Sequence, residues 1–142
     1  MLLQGGADAN LSDNMGYTPL VTAVHKDNLD IVKLLLDHGG SPNLVLGNLS
    51  PIHQASLDDH ATLVALLLNR GADANLENGA LRTPLHLAAF NGSADAVPLL
   101  LKRGADPCAR SLLGRTPVDS AEAQSHLGIA GTLRAAAAGR CR

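Results

Sequence analysis

Six histidines and two cysteines are the residues of this 142-residue chain best suited to binding a metal or attacking a substrate. Two of the histidines occupy matched settings, Ser50-Pro51-Ile52-His53 and Thr83-Pro84-Leu85-His86. A hydroxyl residue before a proline suits a helix start, the hydroxyl as N-cap and the proline at the first helical position, where its missing N–H is harmless. Each imidazole then stands three residues after the cap, close enough to bond the cap hydroxyl on one side and a loop carbonyl on the other. That structural task is expected of His53 and His86, in place of a metal pair or a catalytic base. His25, His38, His60 and His126 fall at other positions and form no His-x-x-x-His spacing, so metal binding is not expected.

Cys108 and Cys141 form neither a metal-like cluster nor a disulfide framework, a usage that fits a reducing compartment. A hydrolytic or redox centre on either thiol needs a neighbour that lowers its pKa, and no histidine is placed for that. Ser, His and Asp do not recur in catalytic order, no glycine-rich loop carries a phosphate-binding lysine, and the acids are scattered through caps and loops. The residues therefore read as those of a non-enzyme, with no catalytic residue, metal or cofactor.

What the chain does carry is a period. Thr18-Pro19-Leu20, Ser50-Pro51-Ile52, Thr83-Pro84-Leu85 and Thr116-Pro117-Val118 follow one another at gaps of 32, 33 and 33 residues. Interleaved with them run Leu34-Leu35-Leu36-Asp37-His38-Gly39, Leu66-Leu67-Leu68-Asn69-Arg70-Gly71 and Leu99-Leu100-Leu101-Lys102-Arg103-Gly104. A fixed period of this length marks stacked repeats, each held by its neighbours. One helix is expected to start at each hydroxyl-proline pair, and a second to end at each glycine, which takes the left-handed conformation at no steric cost. In the last unit Asp119 replaces the histidine and completes an N-cap with an acid three residues on.

Two irregularities stand out. The glycine-to-hydroxyl distance is 12 residues at Gly6, Gly71 and Gly104 but 11 at Gly39, so one residue is missing from the loop over 43–49. Pro98 lies within a helix expected to start near Ser93, where an interior proline predicts a bend costing up to ~3 kcal/mol.

Thr83-Pro84-Leu85-His86-Leu87-Ala88-Ala89, followed by Leu99-Leu100-Leu101-Lys102-Arg103-Gly104-Ala105-Asp106, resembles the phrase of the ankyrin repeat. The resemblance runs over roughly residues 1 to 134. It implies an all-α solenoid of stacked helix-turn-helix units with protruding β-hairpin loops, here called fingers. The expected organisation is a single domain over 1–134. It comprises a partial repeat at 1–10, repeats at 11–43, 44–75 and 76–108, and a C-terminal capping repeat at 109–134, followed by a flexible tail at 135–142. Aligning Gly6 with Gly39 sets Met1 opposite Leu34, partway through a second helix. The uncovered edge this implies belongs either to a piece of a longer protein or to a surface buried by a partner or a second copy.

The resemblance further implies that partners are held by finger tips and by exposed positions of the first helices. On this sequence those positions are Met15, Tyr17, His25 and Lys26 in the first full unit, and Leu46, Leu49, Leu57 and Asp58 in the second. Arg82, Phe90 and Asn91 follow in the third, and Arg110, Leu112, Leu113 and Arg115 in the last. Apolar residues at finger positions are expected to form an exposed patch of the kind that marks interaction sites, with the rim arginines selecting some acidic character. The family pattern also implies hydroxylation of Asn10 and Asn75, each preceded by Leu eight residues back and Asp two back.

Eleven basic against thirteen acidic residues leave a formal charge of −2, no field for attracting nucleic acid. The longest apolar runs fall far below the roughly 20 residues a bilayer span needs, so membrane insertion is not expected either. The expectation is an intracellular protein, cytoplasmic or nuclear, that acts as a scaffold for a protein or peptide partner. The alternative is a targeting or regulatory segment of a larger protein, such as a ubiquitin-ligase substrate adaptor or a signalling protein.

Overall fold

The computed structural model describes residues 10–141. The partial repeat expected at 1–10 lies outside them apart from Asn10. Among the described residues eight α-helices form four antiparallel pairs. The first helices are α1 (Pro19–His25), α3 (Pro51–Leu57), α5 (Pro84–Asn91) and α7 (Pro117–Ala123). The second helices are α2 (Leu29–Asp37), α4 (Ala61–Asn69), α6 (Ala96–Lys102) and α8 (Leu127–Ala137). Every first helix opens with proline behind Thr18, Ser50, Thr83 or Thr116, each in an extended conformation. After α2, α4 and α6 the chain turns at Gly39, Gly71 and Gly104, with φ of 88°, 95° and 93°, the left-handed exit that glycine makes cheap.

Neighbouring first helices pack in the order α1, α3, α5, α7, and α4, α6 and α8 pack behind them. The core between the two layers runs without a break from Leu20, Val24, Val32 and Leu35 to Ile52, Leu63, Leu67, Leu85, Leu100 and Leu133. Each such side chain stabilises by roughly 1.5–3 kcal/mol on burial, and none of the units could bury its leucines alone. The family fold implied by the sequence is the fold observed.

Three expectations need correction. α6 starts at Ala96, not near Ser93, so Pro98 lies in the first helical turn, where no intrahelical N–H bond is lost, and the interior bend does not arise. The boundary at 134 falls inside α8, which continues to Ala137. The cysteines, read as unpaired, form a disulfide between Cys108 and Cys141, which also removes the free thiols a cysteine-based centre would use. Their separation of 33 residues is one repeat, and positions one repeat apart lie side by side in a stack. Asn10, Asn43 and Asn75 occupy the place of Cys108 in the earlier fingers. Their amides donate to the Gly39, Gly71 and Gly104 carbonyls and accept from the N–H of Ser41, Asp73 and Asp106. At the last unit the covalent bond stands where the amide clamp stands elsewhere.

Candidate partner-binding groove

Three of the four fingers share one geometry. Asp13, Asn78 and Ser111 each donate a backbone N–H to the carbonyl four residues on, at Tyr17, Arg82 and Arg115. Their side-chain oxygens accept the N–H of the same three residues in return. The third residue of each three-residue tip takes positive φ, Gly16 at 83°, Gly114 at 75° and, unusually, Leu81 at 54°. The finger with the missing residue closes instead on a two-residue turn. Leu46 and Leu49 exchange both backbone bonds as an antiparallel bridge, with Gly47 at φ 63° as the first turn residue, the arrangement of a tight II′ hairpin.

Fingers are tied to each other and to the helices behind them. Gly79 N–H donates to the Gly47 carbonyl at 2.7 Å, and Leu112 N–H to the Ala80 carbonyl at 2.9 Å. His53 Nε2 lies 2.8 Å from the Arg82 carbonyl and His86 Nε2 2.8 Å from the Arg115 carbonyl. On the other side His53 Nδ1 lies 2.6 Å from Ser50 Oγ, and His86 Nδ1 lies 2.9 Å from Thr83 Oγ1 and accepts the Thr83 N–H. A carbonyl can only accept, so Nε2 carries a proton in both rings, and in His86 the Nδ1 that accepts the Thr83 N–H is unprotonated, which makes that ring neutral. Burial pushes both rings below their ordinary value of 6.5, against the opposing pull of the carbonyl bonds. Each histidine therefore fastens the finger of the following unit to its own helix, the task the sequence assigned to it.

With the fingers fixed, a groove of about 390 Å³ opens between the last three of them and α3, α5 and α7. Leu49, Leu57, Leu87, Phe90 and Leu113 supply its apolar lining, and Arg82 and Arg115 are among its polar residues. Phe90 is 47% exposed and Leu113 73%. Of the residues named from sequence, Leu49, Leu57, Arg82, Phe90, Leu113 and Arg115 come together here.

The others do not. Tyr17 and Lys26 line a separate depression of about 530 Å³ made only of first-unit residues. His25 and Asp58 bond one another, Nδ1 to Oδ2 at 2.9 Å, and Asp58 also accepts from Gln54 Nε2. Arg110 donates to the Gly114 carbonyl of its own finger at 3.0 Å. Met15 and Leu112 project at finger tips, 77% and 67% exposed. Asn91 is an exposed residue at the end of α5, and Leu46 is half-buried in the bridge it forms with Leu49. Leu87, a groove residue, was missed by the sequence reading. Its signal was available, since it precedes Phe90 by three residues and so shares its helix face.

The family profile described as "Ankyrin repeats (3 copies)" matches residues 1–78 and again 52–138. This chain belongs to the ankyrin-repeat family. The array is 37% identical over 76 residues to BCL-6 corepressor-like protein 1 of Homo sapiens, 53% of this chain and 4% of that protein. It is 39% identical over 80 residues to the B-cell lymphoma 3 protein homolog of Mus musculus, 55% of this chain and 18% of that protein. Against the E3 ubiquitin-protein ligase KEG of Arabidopsis thaliana it is 35% identical over 80 residues, 55% of this chain and 5% of that protein. The ankyrin array thus matches less than a fifth of each of these relatives. Among its described residues no helix is long and apolar enough to cross a membrane.

Proposed function

We propose that the array is a protein-binding scaffold, not an enzyme, and that the groove beneath the last three fingers holds a segment of a protein partner. One observation carries this reading: Leu49, Leu57, Leu87, Phe90 and Leu113, drawn from two fingers and two first helices, converge on one groove in which Phe90 and Leu113 are left exposed. Phe90 faces outward with Leu57 and Leu87 beside the groove, and aromatic anchors of this kind often dominate interfaces. A photo-crosslinking residue at position 90, compared with one at Lys33 on α2, tests the proposal. Capture of the same proteins from both positions, or of none from position 90, would defeat it.

A second reading is favoured by the relatives, in each of which the matched stretch is a small part of a longer protein. In that reading the array is a targeting or regulatory segment of a larger chain, an adaptor for a ubiquitin ligase or a signalling protein. An in-frame coding extension beside this sequence supports it, and a transcript without one counts against it. A single domain that runs through the end of α8 at Ala137, and self-association through the uncapped N-terminal edge, belong to the same proposal; sedimentation tests the latter.

An intracellular placement, cytoplasmic or nuclear, also stands as proposed, although the Cys108–Cys141 bond is of a kind that persists in oxidising surroundings. Fractionation with thiol trapping checks both together. Hydroxylation of Asn10 and Asn75 rests on the family pattern, against the clamping role their amides already have. Intact mass of the cellular protein decides it.

A further inference from the structure

The arginines between α1 and α8 and in α8 fall into two groups, with exposed Arg140 beyond α8 apart from both. Arg70 pairs with Asp37 at 2.8 Å, Arg103 donates to Asn69, Arg134 pairs with Glu122, and Arg110 donates to a carbonyl of its own finger. Among the described residues the guanidinium groups of Arg82 and Arg115 make no ion pair and no hydrogen bond, and both are exposed where they line the groove. Their backbones are the opposite of loose. The Arg82 carbonyl accepts from Asn78 N–H and bonds the His53 ring, and its N–H donates to Asn78 Oδ1. Arg115 repeats the pattern with Ser111 and His86. Two cations one repeat apart are thus presented from fixed backbone with their side chains unassigned.

Three acids of α3 and α7 and their ends are engaged elsewhere, while Glu77, in the finger of Arg82, pairs with neither arginine. Asp119 on α7 accepts from the Thr116 N–H and hydroxyl, Glu122 pairs with Arg134, and Asp58 holds His25 and Gln54. The groove lining itself contains two arginines and no Asp or Glu, although the chain as a whole is net acidic. Potential and apolar surface therefore coincide, and complementary charge is what sets specificity and register at such a surface.

We propose, building on the partner-binding reading, that the groove is specific for an acidic-apolar peptide segment. Carboxylates are taken by Arg82 and Arg115, and a bulky apolar side chain seats on Leu57, Leu87 and Phe90. Arg110 takes no part, because its guanidinium is already held by its own finger.

A random-peptide display library selected on the intact chain, with R82A/R115A and F90E variants checked for helical content, tests this. The expected peptides carry Asp or Glu beside Leu, Phe or Trp. The R82A/R115A variant is expected to bind the synthetic form of such a peptide about tenfold or more weaker, and added salt to weaken the wild-type complex. An R82E/R115E variant is expected to reject it and select basic peptides instead. Apolar peptides lost in F90E but bound equally by wild type and R82A/R115A would overturn the acid specificity and leave the groove reading standing. Peptides indifferent to F90E as well, or no enrichment at all, would overturn both.

Discussion

Replacing Cys108 and Cys141 by serine opens a ring that encloses the last finger, α7 and α8. The chain-entropy relation for a closed loop of 33 residues gives about 3.7 kcal/mol at 25 °C as the stabilisation lost. An unfolding entropy of about 2.1 cal/mol/K per residue over the described chain converts this to a fall in melting temperature of about 13 °C, if the array melts as one unit. The bond is confined to the terminal unit, and units in a stack are coupled only to their neighbours. Amides of α7 and α8 should accordingly exchange much faster in the C108S/C141S variant, while those of α1 to α4 change little. Thermal melting with and without a reductant, paired with hydrogen exchange, is the assay. Superimposable melts and exchange patterns would refute the reasoning about the ring, and two titratable thiols in the unreduced chain would refute the bond itself.

Further perturbations probe other parts of the stack. Ser56 Oγ on α3 is fully buried without a hydrogen-bond partner among the described residues, so S56A should stabilise by about 1–2 kcal/mol; a lower urea midpoint would contradict that. Leu81 holds φ 54° where two other fingers have glycine, a conformation costing about 1–2 kcal/mol for a residue with a Cβ. L81G should raise the melting temperature by a few degrees, the gain being reduced by the greater entropy of glycine when unfolded, and a fall would mean that the Leu81 side chain packs usefully. His53 and His86 have folded pKa values below the ordinary 6.5, so the unfolded chain binds protons first as the pH drops. Their contribution to stability is complete above 6.5 and is lost as pH falls from there through the folded values, by up to about 1.4 kcal/mol per pH unit for each ring. Urea midpoints between pH 7.5 and 5 measure the slope, and ring ¹⁵N spectra at pH 7 should show Nε2 protonated.

Reading the period alone was enough to place the starts of the first helices, because Thr18, Ser50, Thr83 and Thr116 specify them through local capping chemistry. The same holds for His53 and His86, whose ring bonds reach a carbonyl one unit away at a fixed offset. Side-chain partners across units were legible in principle, since His25–Asp58, Asp37–Arg70 and Cys108–Cys141 are all separated by 33 residues; only the last of these would have changed the reading, and it was overlooked. The groove was half legible. Finger and first-helix positions named Phe90, Leu113, Arg82 and Arg115 correctly as neighbours, yet also gathered Tyr17 and Lys26, which lie on a different surface. Whether a polar side chain is available depends on what its neighbours do in three dimensions, and so Arg110 looked equivalent to Arg115 until its bond to Gly114 was seen. Pro98 shows the same limit at short range, because a start three residues later turns a predicted kink into an ordinary first turn.

The claim that everything else serves is that the array holds a partner segment in the groove made by the last three fingers and α3, α5 and α7. Methyl and arginine side-chain NMR on the chain with a peptide selected by display measures this directly. The account predicts shifts confined to Leu49, Leu57, Leu87, Leu113, Arg82 and Arg115, with transferred contacts from the peptide to the Phe90 ring. Shifts centred on the second helices α2, α4, α6 and α8, with these groove signals unmoved, would contradict it.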